Sequence, residues 1–497
     1  MKQDHIIQKV FVEITVNNKE KALSIKDDIS SFLSIDVFPE IEKYIKDLEY
    51  KLDDYTLQIP HLELNLDVKN SSLNTELKDK ITQLFKEELS EITKPIESSD
   101  QKTENDSKAY LIDNQEKAIQ TFIYFLEKGN MPWWNSSTNG IAFLEPAVFN
   151  TLILNNNFQK RIISVLPKQN VQERIINQLS DEQIAQLCLS ILKNKELKIN
   201  LNVDIIEYIS KLNHAERQIV WRLVLNVLSQ HLSSSNANLR EYLLQQIVKI
   251  ESASTVFSKT KNKHENLKTA VKIFPFIKED EIFESIESIR KNQKEKSDNS
   301  KAQKETVHQK NKTFNENLIQ DDDNELSQND GENDGQYVQN AGLILIHPFV
   351  KTFFEHCELL HPKTQQLIDP ELCAHLLHYI ATGKINAPEY DMVFEKFLCN
   401  IPMQQTINRH IKLSRKHKTQ AKNVIESVQH NWSSMKKSSV ALLQNEFFQR
   451  PGKLVVTDHD YTLTVEQKTQ DILLKNLGWG LSLVKLPWKK KFMFVNW

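Results

Sequence analysis

The chain has 497 residues, and a length of this kind favours about three domains. Apolar residues make up 39%, charged residues 26%, and there are only 9 glycines, which is typical of a mainly helical protein with ordinary buried cores. The formal net charge of -3 gives no global support for a nucleic-acid-binding protein, because such proteins usually carry a basic patch or stripe. We therefore expect no nucleic-acid partner.

Cysteine usage and hydropathy point to an intracellular protein. The four cysteines lie on or beside apolar stripes, and no two of them form a CxxC pair. They are expected to be small buried hydrophobes in a reducing compartment. The amino terminus lacks a long apolar region, and the longest apolar runs are far shorter than the ~20 residues that a membrane helix needs. The sequence thus predicts a cytoplasmic protein without signal peptide, transmembrane segment or membrane insertion.

Residues 1–94 predict a small α+β domain of β-α-α-β-α order. Its first strand is indicated by Val10, Val12 and Ile14, which alternate with polar residues and suggest one buried face. The five elements are a half-buried strand over 6–16, helices over 19–33 and 39–52, a second strand over 62–68 and an amphipathic helix over 73–92. A polar stretch over 95–112 is predicted to be a linker.

Residues 113–289 predict an all-helical middle domain. Ala118, Phe122 and Leu126 belong to an apolar stripe that Gly129 should end. Ser180 and Gln183 have the spacing of a capping box and should open another helix.

Residues 290–339 form the clearest boundary in the sequence. A basic polar run, KNQKEKSDNSKAQKETVHQKNK, is followed by the acidic run QDDDNELSQNDGENDG. So few apolar residues cannot offset the entropy lost on ordering, and we predict a disordered charged linker.

Residues 340–497 predict a carboxy-terminal helical domain with terminal β segments. Pro348 suits a first helical turn, Asp369 an N-cap, Gly383 a helix end and Pro388 the start of a third helix. Segments 453–457 and 461–466, joined by Asp458-His459-Asp460, predict a hairpin. The expected fold class is therefore mainly α and multidomain, with disordered linkers.

The same stretch contains histidines and cysteines that could carry chemistry. His375 and His378 are three residues apart, so both could ligate a metal from one helix face, with Cys357 and Cys373 nearby. No third ligand stands at a recognised spacing, and the favoured interpretation is structural histidines and no metal. No GxSxG, SxxK, HExxH or phosphate-binding glycine loop occurs, which predicts that the chain is not an enzyme and binds no cofactor.

Tryptophans are the best candidates for partner contacts, although core packing is an alternative for each of them. Tryptophan is common in cores and in interface hot spots, and four of these residues lie beyond residue 430. Basic runs at 409–422, 436–437 and 489–491 are interpreted as solvated faces or as contacts with a partner protein. The predicted partner-binding residues are Trp133, Trp134, Trp432, Arg450, Trp479, Trp488 and Trp497.

Six motifs occur in order in the last third of the chain: GLILIHPF, HLLHYIATG, APEYDMVFEKFLCNIPM, VIESVQHNW, FFQRPGKL and LGWGLSLVKLPW. Together they resemble the carboxy-terminal half of contractile injection system tape measure proteins, which are components of phage-tail-like machines of bacteria. YFLEKGNMPWW, at 124–134, fits the same family. The resemblance implies structural roles for motif positions Gly342, His347, Pro348, His375, His378, Tyr379, Gly383, Gly480 and Pro487.

The resemblance implies a structural component that sets inner tube length during assembly, with inner tube and baseplate proteins as partners. A continuous helix of this length would span ~750 Å, but prolines, linkers and β segments interrupt the chain. The sequence therefore indicates globular cores and tethers. One alternative is a globular assembly chaperone or baseplate adaptor of the same machine, and another is an unrelated helical scaffold.

Overall fold

The computed structural model describes residues 5–16, 18–52, 55–66, 73, 75–97, 110–135, 143–193, 197–233, 238–253, 269–285 and 335–497. Helix dominates these ranges and a small sheet lies near the carboxyl end, so the prediction of a mainly α fold is confirmed. Contacts divide the chain into two compact units. The amino-terminal unit comprises residues 1–121 and 133–141, and the main unit comprises residues 122–132 and 142–497.

Before α4 (Asn114–Lys128), the described residues of the amino-terminal unit form three helices and a two-stranded sheet. Its elements are α1 (Lys19–Phe32), a π-helical turn (Leu33–Val37), α2 (Phe38–Leu52), β1 (Tyr55–Gln58), α3 (Thr75–Glu97) and β2 (Tyr110–Asp113). The predicted helices correspond to α1, α2 and α3. Phe32, Val37 and Ile41 pack with Phe85 and Leu89 of α3 into a small core. β1 and β2 pair antiparallel, with Tyr55 opposite Asp113.

The first strand predicted in this unit is wrong, and the second is wrong for its described residues 62–66. Residues 6–16 form no strand, and Val10, Val12 and Ile14 are exposed. The described part of 62–68 is irregular, although Leu62 and Leu64 pack against the core. An alternating pattern favours an extended chain, but a strand also needs a ladder partner, and β1 pairs with β2 instead. The order is therefore α1-α2-β1-α3-β2.

The helices that follow begin within the amino-terminal unit and continue through the main unit. They are α4 (Asn114–Lys128), α5 (Pro146–Ile153), α6 (Asn156–Val165), α7 (Gln169–Gln178), α8 (Asp181–Leu192), α9 (Val203–Ser210), α10 (His214–Ser233), α11 (Leu239–Ala253) and the described parts of α12 (269–273) and α13 (279–285). The predicted capping box is confirmed: Ser180 Oγ accepts from the Gln183 amide, and the Gln183 side chain accepts from the Ser180 amide. Gly129 follows α4 with a φ of 84°.

The carboxy-terminal part of the main unit alternates short helices with strands. Its elements are β3 (Gln336–Val338), a 3-10 helix (Ala341–Ile346), α14 (His347–His356), α15 (Pro370–Thr382), a 3-10 turn (Glu389–Asp391), α16 (Val393–Leu398), α17 (Arg415–Asn431), a 3-10 turn (Ser433–Met435), α18 (Val440–Leu443), a π-helical turn (Gln444–Phe448), β4 (Gly452–Val456), β5 (Tyr461–Val465), a 3-10 helix (Thr469–Asn476), β6 (Leu483–Val484) and β7 (Met493–Asn496).

Most residues that were predicted to begin or end a helix in this part do so. The Asp369 carboxylate accepts from the Leu372 amide at 2.9 Å and caps α15. Gly383 ends α15 in the left-handed conformation, with a φ of 70°. Pro388 differs from the expectation, because it precedes a 3-10 turn and the helix begins only at Val393.

The five-stranded sheet has the order β3-β4-β5-β7-β6. β4 and β5 form the predicted hairpin, while β5 and β7 are parallel. Alternate residues of every strand, such as Leu454, Leu463 and Val495, enter the main core. β3 pairs with β4 although it lies in the last residues of the predicted linker over 290–339, so the expectation of disorder up to residue 339 is wrong there.

The predicted domain borders stay predictions. β2 and the end of α3 lie inside the predicted linker over 95–112, whose residues 98–109 fall outside the described ranges. Residues 286–334, which include most of the charged linker, also lie outside them. The predicted domains over 113–289 and 340–497 share one compact unit for nearly all of their described residues.

Gly342 offers a test of how closely this core is packed. A Cβ atom there would overlap the backbone carbonyl of Phe447, which cannot move aside as a flexible side chain could. We expect Gly342→Ala to lower the free energy of unfolding by about 1–3 kcal/mol. The matched control is Gly480→Ala, because a Cβ at that site meets nothing within 4 Å. Thermal unfolding followed by tryptophan fluorescence measures both, and equal stability of the two variants would contradict the packing.

Candidate partner-binding surface and buried ion network

Three buried charged side chains meet between α7 and the segment that follows α15. Arg174 lies on α7, Glu389 on the 3-10 turn and Lys396 on α16, and each is at most 1% exposed. The Arg174 guanidinium donates to the two Glu389 carboxylate oxygens at 3.2 and 3.4 Å. The Lys396 ammonium donates to the same carboxylate at 2.7 Å. One carboxylate therefore serves two cations.

Backbone carbonyls accept further hydrogen bonds from both cations. Lys396 Nζ also donates to the carbonyls of Met403 and Gln405 at 2.9 and 2.6 Å, so all three ammonium hydrogens have acceptors. Arg174 donates to the carbonyls of Leu126 and Gln404 at 2.6 and 2.8 Å. Burial lowers the pKa of Lys396, and the charge of Glu389 acts against that shift.

Further contacts extend this ion network into a broad junction. The Gln178 side chain donates to the Ile407 carbonyl at 2.8 Å and accepts from the Glu389 amide at 2.9 Å. Tyr390 packs edge-on against Phe125, with 5.1 Å between ring centroids. The middle helices and the carboxy-terminal elements are thus joined by paired charges, backbone hydrogen bonds and aromatic packing.

Gly129 makes the close approach at this junction possible. A Cβ at this position would lie 2.6 Å from Glu389 Oε1 and 2.8 Å from Arg174 Nη2. Its positive φ is also a conformation that residues with a side chain rarely adopt. The sequence predicted only the helix end at Gly129. The signal for a buried ion pair was the presence of charged residues inside the apolar motif APEYDMVFEKFLCNIPM. The partner of Glu389 could not be found in this way, because Arg174 is 215 residues away.

The histidines of the motif region have structural partners. His375 Nε2 donates to the Asn408 carbonyl at 2.9 Å, and burial lowers the pKa of His375 to about 4, so its ring is neutral at pH 7. His378 Nδ1 lies 3.0 Å from the buried Glu395 carboxylate. His347 Nε2 donates to the Gly480 carbonyl at 3.0 Å. Among the described residues, no group of three or more His, Cys, Asp or Glu side chains could hold a metal ion.

Each cysteine is buried and free, as expected. Burial raises the pKa of all four thiols, to about 12 for Cys188 and about 11 for Cys357. Thiolate is the reactive form, so none of these side chains has the environment of a catalytic or redox-sensing cysteine.

Three of the predicted partner-binding residues are buried in the main core. Trp432 is 0% exposed and donates its indole N–H to the Leu473 carbonyl at 3.0 Å. Trp488 is 3% exposed and donates to the Leu398 carbonyl at 2.7 Å. Arg450 is 1% exposed, and its guanidinium donates to the carbonyls of Glu446 and Glu466 and to the Asp471 carboxylate. For the two tryptophans, this burial favours the core-packing alternative.

The other four predicted residues keep some accessible surface. Trp479 is half-buried, donates to the Leu345 carbonyl at 3.1 Å and packs edge-on against Phe349. Trp497 is half-buried at the chain end, where Arg450 lies over its ring at 5.7 Å. In the amino-terminal unit, Trp133 is exposed and Trp134 half-buried.

Most of the remaining motif positions make contacts within the fold. Pro348 lies in the first turn of α14, and the Tyr379 carbonyl accepts from the Gly383 amide. Gly342 packs directly on the backbone of Phe447. Gly480 and Pro487 are exposed.

The outer sheet face is the surface that sequence reasoning missed. We define it by the solvent-facing residues Tyr337, Lys453, Val455, Leu483, Lys485, Phe492 and Phe494. Register places Val455, Thr462, Phe494 and Leu483 side by side across four strands, on the face opposite the core. Leu483 is 52% and Phe494 45% exposed. The period-2 pattern of β7 was its signal, because Met493 and Val495 point inward and a large aromatic residue is left outside.

Lysines border this apolar face. Lys453 lies over the Tyr337 ring at 5.6 Å, and Lys485 lies over the Phe492 ring at 5.1 Å. Contiguous exposed apolar surface with a polar rim is typical of protein interaction sites. The outer sheet face therefore fits an apolar protein surface surrounded by carboxylates.

The ion network makes a prediction for stability. Glu389→Gln keeps the shape of the side chain but leaves two buried cations without their counter-charge. We expect the free energy of unfolding to fall by about 3–5 kcal/mol. Glu207→Gln is the matched control, because it removes a carboxylate from a solvent-exposed ion pair with Lys211 and should leave stability unchanged. Chemical denaturation measures both, and a Glu389→Gln variant as stable as the control would contradict a structural role for the network.

No helix in the described ranges combines the length and apolar character needed to cross a bilayer.

No curated protein and no solved structure shows significant similarity to the chain. The family model of contractile injection system tape measure proteins matches residues 4–497, which is essentially the whole sequence. The chain therefore belongs to the contractile injection system tape measure protein family.

Proposed function

We propose that this chain sets or templates inner tube length during particle assembly, through contacts with inner tube and baseplate proteins and without catalysis. Membership of the family indicates a component of a contractile injection system. The outer sheet face is the observation that supports a docking role. The polar residues that could have formed a reactive centre, Arg174, Glu389, Lys396 and His378, are occupied in structural contacts.

In this proposal the outer sheet face docks on a particle subunit. The exposed side chains of Leu483, Phe492 and Phe494 would supply apolar contact area, and Lys453 and Lys485 would favour a partner with nearby carboxylates. β7 presents Phe494 on this face because the alternate residues Met493 and Val495 are fixed in the main core.

An assembly chaperone or baseplate adaptor of the same machine is the second candidate. The observation that favours it is the shortness of the helices. The longest of the helices bounded above is α3, with 23 residues, which spans only ~35 Å. A ruler acting over a long tube would need an extended form of the chain, whereas an adaptor would use the folded units as they are.

The docking surface is tested by the double variant Leu483→Glu/Phe494→Glu. Both side chains are exposed, so the only expected loss of stability is at most about 1 kcal/mol from the two carboxylates that face each other across β6 and β7, while acidic groups replace the apolar contact. We expect recovery of tube or baseplate subunits cross-linked to the tagged chain to fall at least about tenfold. Leu154→Glu is the control, because Leu154 is 69% exposed and lies in the helical part of the unit. Undiminished cross-linking by the double variant would remove the outer sheet face as the docking site.

Tube length separates a ruler from an adaptor. Duplicating residues 290–330 adds chain without altering β3, and at about 1.5 Å per helical residue a ruler would lengthen the tube by at least ~60 Å. Deleting the same residues should shorten it correspondingly. Electron microscopy of assembled particles gives the length distribution. Normal particles of unchanged length in both variants would favour the adaptor.

A further inference from the structure

β6 is an edge strand of the five-stranded sheet, because β7 is its one neighbour among the described strands. Leu483 lies opposite Phe494, and the Val495 amide donates to the Ser482 carbonyl at 3.0 Å. Hydrogen-bonded pairs alternate with non-bonded pairs along an antiparallel ladder. The backbone N–H and C=O of Leu483 therefore point away from β7, towards the edge of the sheet.

This edge is open around Leu483. Within the described ranges, neither backbone group of Leu483 has a hydrogen-bond partner. Ser482 is exposed, Leu483 is 52% exposed, and a Cβ at Gly480 would meet nothing within 4 Å. An N–H and a C=O exposed on a strand edge form a template on which the strand of another protein can pair.

A lysine on an edge strand often blocks such pairing, but Lys485 is turned away from this edge. Its ammonium donates to the Lys490 carbonyl at 2.6 Å and lies over the Phe492 ring at 5.1 Å. Phe492 immediately precedes β7, so the lysine side chain folds back over the sheet. The edge at Leu483 thus stays accessible, and Pro487, which has no N–H, limits the length of a pairing segment on the carboxyl side.

We infer that an extended segment of a partner subunit of the particle pairs with β6 and adds a further strand to the sheet. This inference rests on the proposed docking role of the outer sheet face and describes how the partner binds there. In recognition by strand addition, backbone hydrogen bonds supply affinity and alternate side chains supply specificity. The Leu483 N–H donates to the added strand, and the Leu483 carbonyl accepts from it.

The register predicts the chemistry of the added segment. Its residue opposite Leu483 extends the row formed by Val455, Thr462, Phe494 and Leu483 on the outer sheet face. Its residue opposite Lys485 lies two positions away and on the same face. An apolar side chain at the first position and a carboxylate at the second complement Leu483 and the Lys485 ammonium. The expected occupant is therefore an extended segment with an apolar and an acidic residue two positions apart.

Two substitutions at one position isolate the backbone contribution. Leu483→Ala removes the side chain and keeps the N–H, whereas Leu483→Pro also removes the N–H. Neither removes a bond to β7, because this N–H points away from it. We expect Leu483→Pro to raise the dissociation constant at least about threefold above that of Leu483→Ala, since one further hydrogen bond is lost. Biolayer interferometry measures both full-length variants against the purified tube or baseplate subunit that the wild-type chain captures by cross-linking.

Hydrogen exchange tests the same contact without a substitution. The Leu483 amide should exchange rapidly in the free chain and at least about tenfold more slowly in the complex, because the partner accepts its hydrogen. The Val484 amide is the internal control, because the ladder directs it to β7 with and without a partner. Mass spectrometry with fragmentation to single residues measures both amides. If Leu483→Pro does not fold, this measurement decides alone.

Strand addition is overturned if Leu483→Pro and Leu483→Ala bind equally well and the Leu483 amide exchanges at the same rate in the complex. The docking role itself survives that result when Leu483→Glu/Phe494→Glu still weakens binding at least about tenfold. Wild-type affinity in the double variant would instead remove the outer sheet face as the docking site, and strand addition would fall with it.

Discussion

The main unit depends on one buried carboxylate that is shared by two cations. Moving a charge out of water is expensive, and Glu389 is stable at 0% exposure only because Arg174 and Lys396 both donate to it. The two cations would in turn be costly without the four backbone carbonyls that accept further hydrogen bonds from them. The requirement is mutual, so α7 and α16 must dock together. This joins elements that lie on either side of the charged stretch over 290–339.

The need of buried polar groups for partners inside the fold also limits which side chains are accessible for function. Side chains that looked chemically interesting in the sequence, such as His375, His378 and the buried tryptophans, have partners inside the fold. Among the described residues, accessible apolar surface includes the outer sheet face of the main unit and residues 6–14 of the amino-terminal unit. A component of a multi-subunit particle needs surfaces of this kind, because its work is done through contacts with other subunits.

The two units differ in how much of their apolar sequence pattern is buried. In the main unit the apolar stripes enter a core that includes Phe354, Trp432 and Leu463, all at 0% exposure. In the amino-terminal unit the core is small, and the strand-like pattern of 5–16 is left in solvent.

The sequence by itself determined the helical class, the capping residues Ser180, Asp369 and Gly383, and the β4–β5 hairpin, because each depends on residues a few positions apart. It also determined the family, through motifs spread over the chain. Only the tertiary structure decided that Trp488 is core, that β1 pairs with β2, and that Glu389 meets Arg174. Burial and strand pairing depend on which distant segments meet, and a partner 215 residues away leaves no mark in local periodicity.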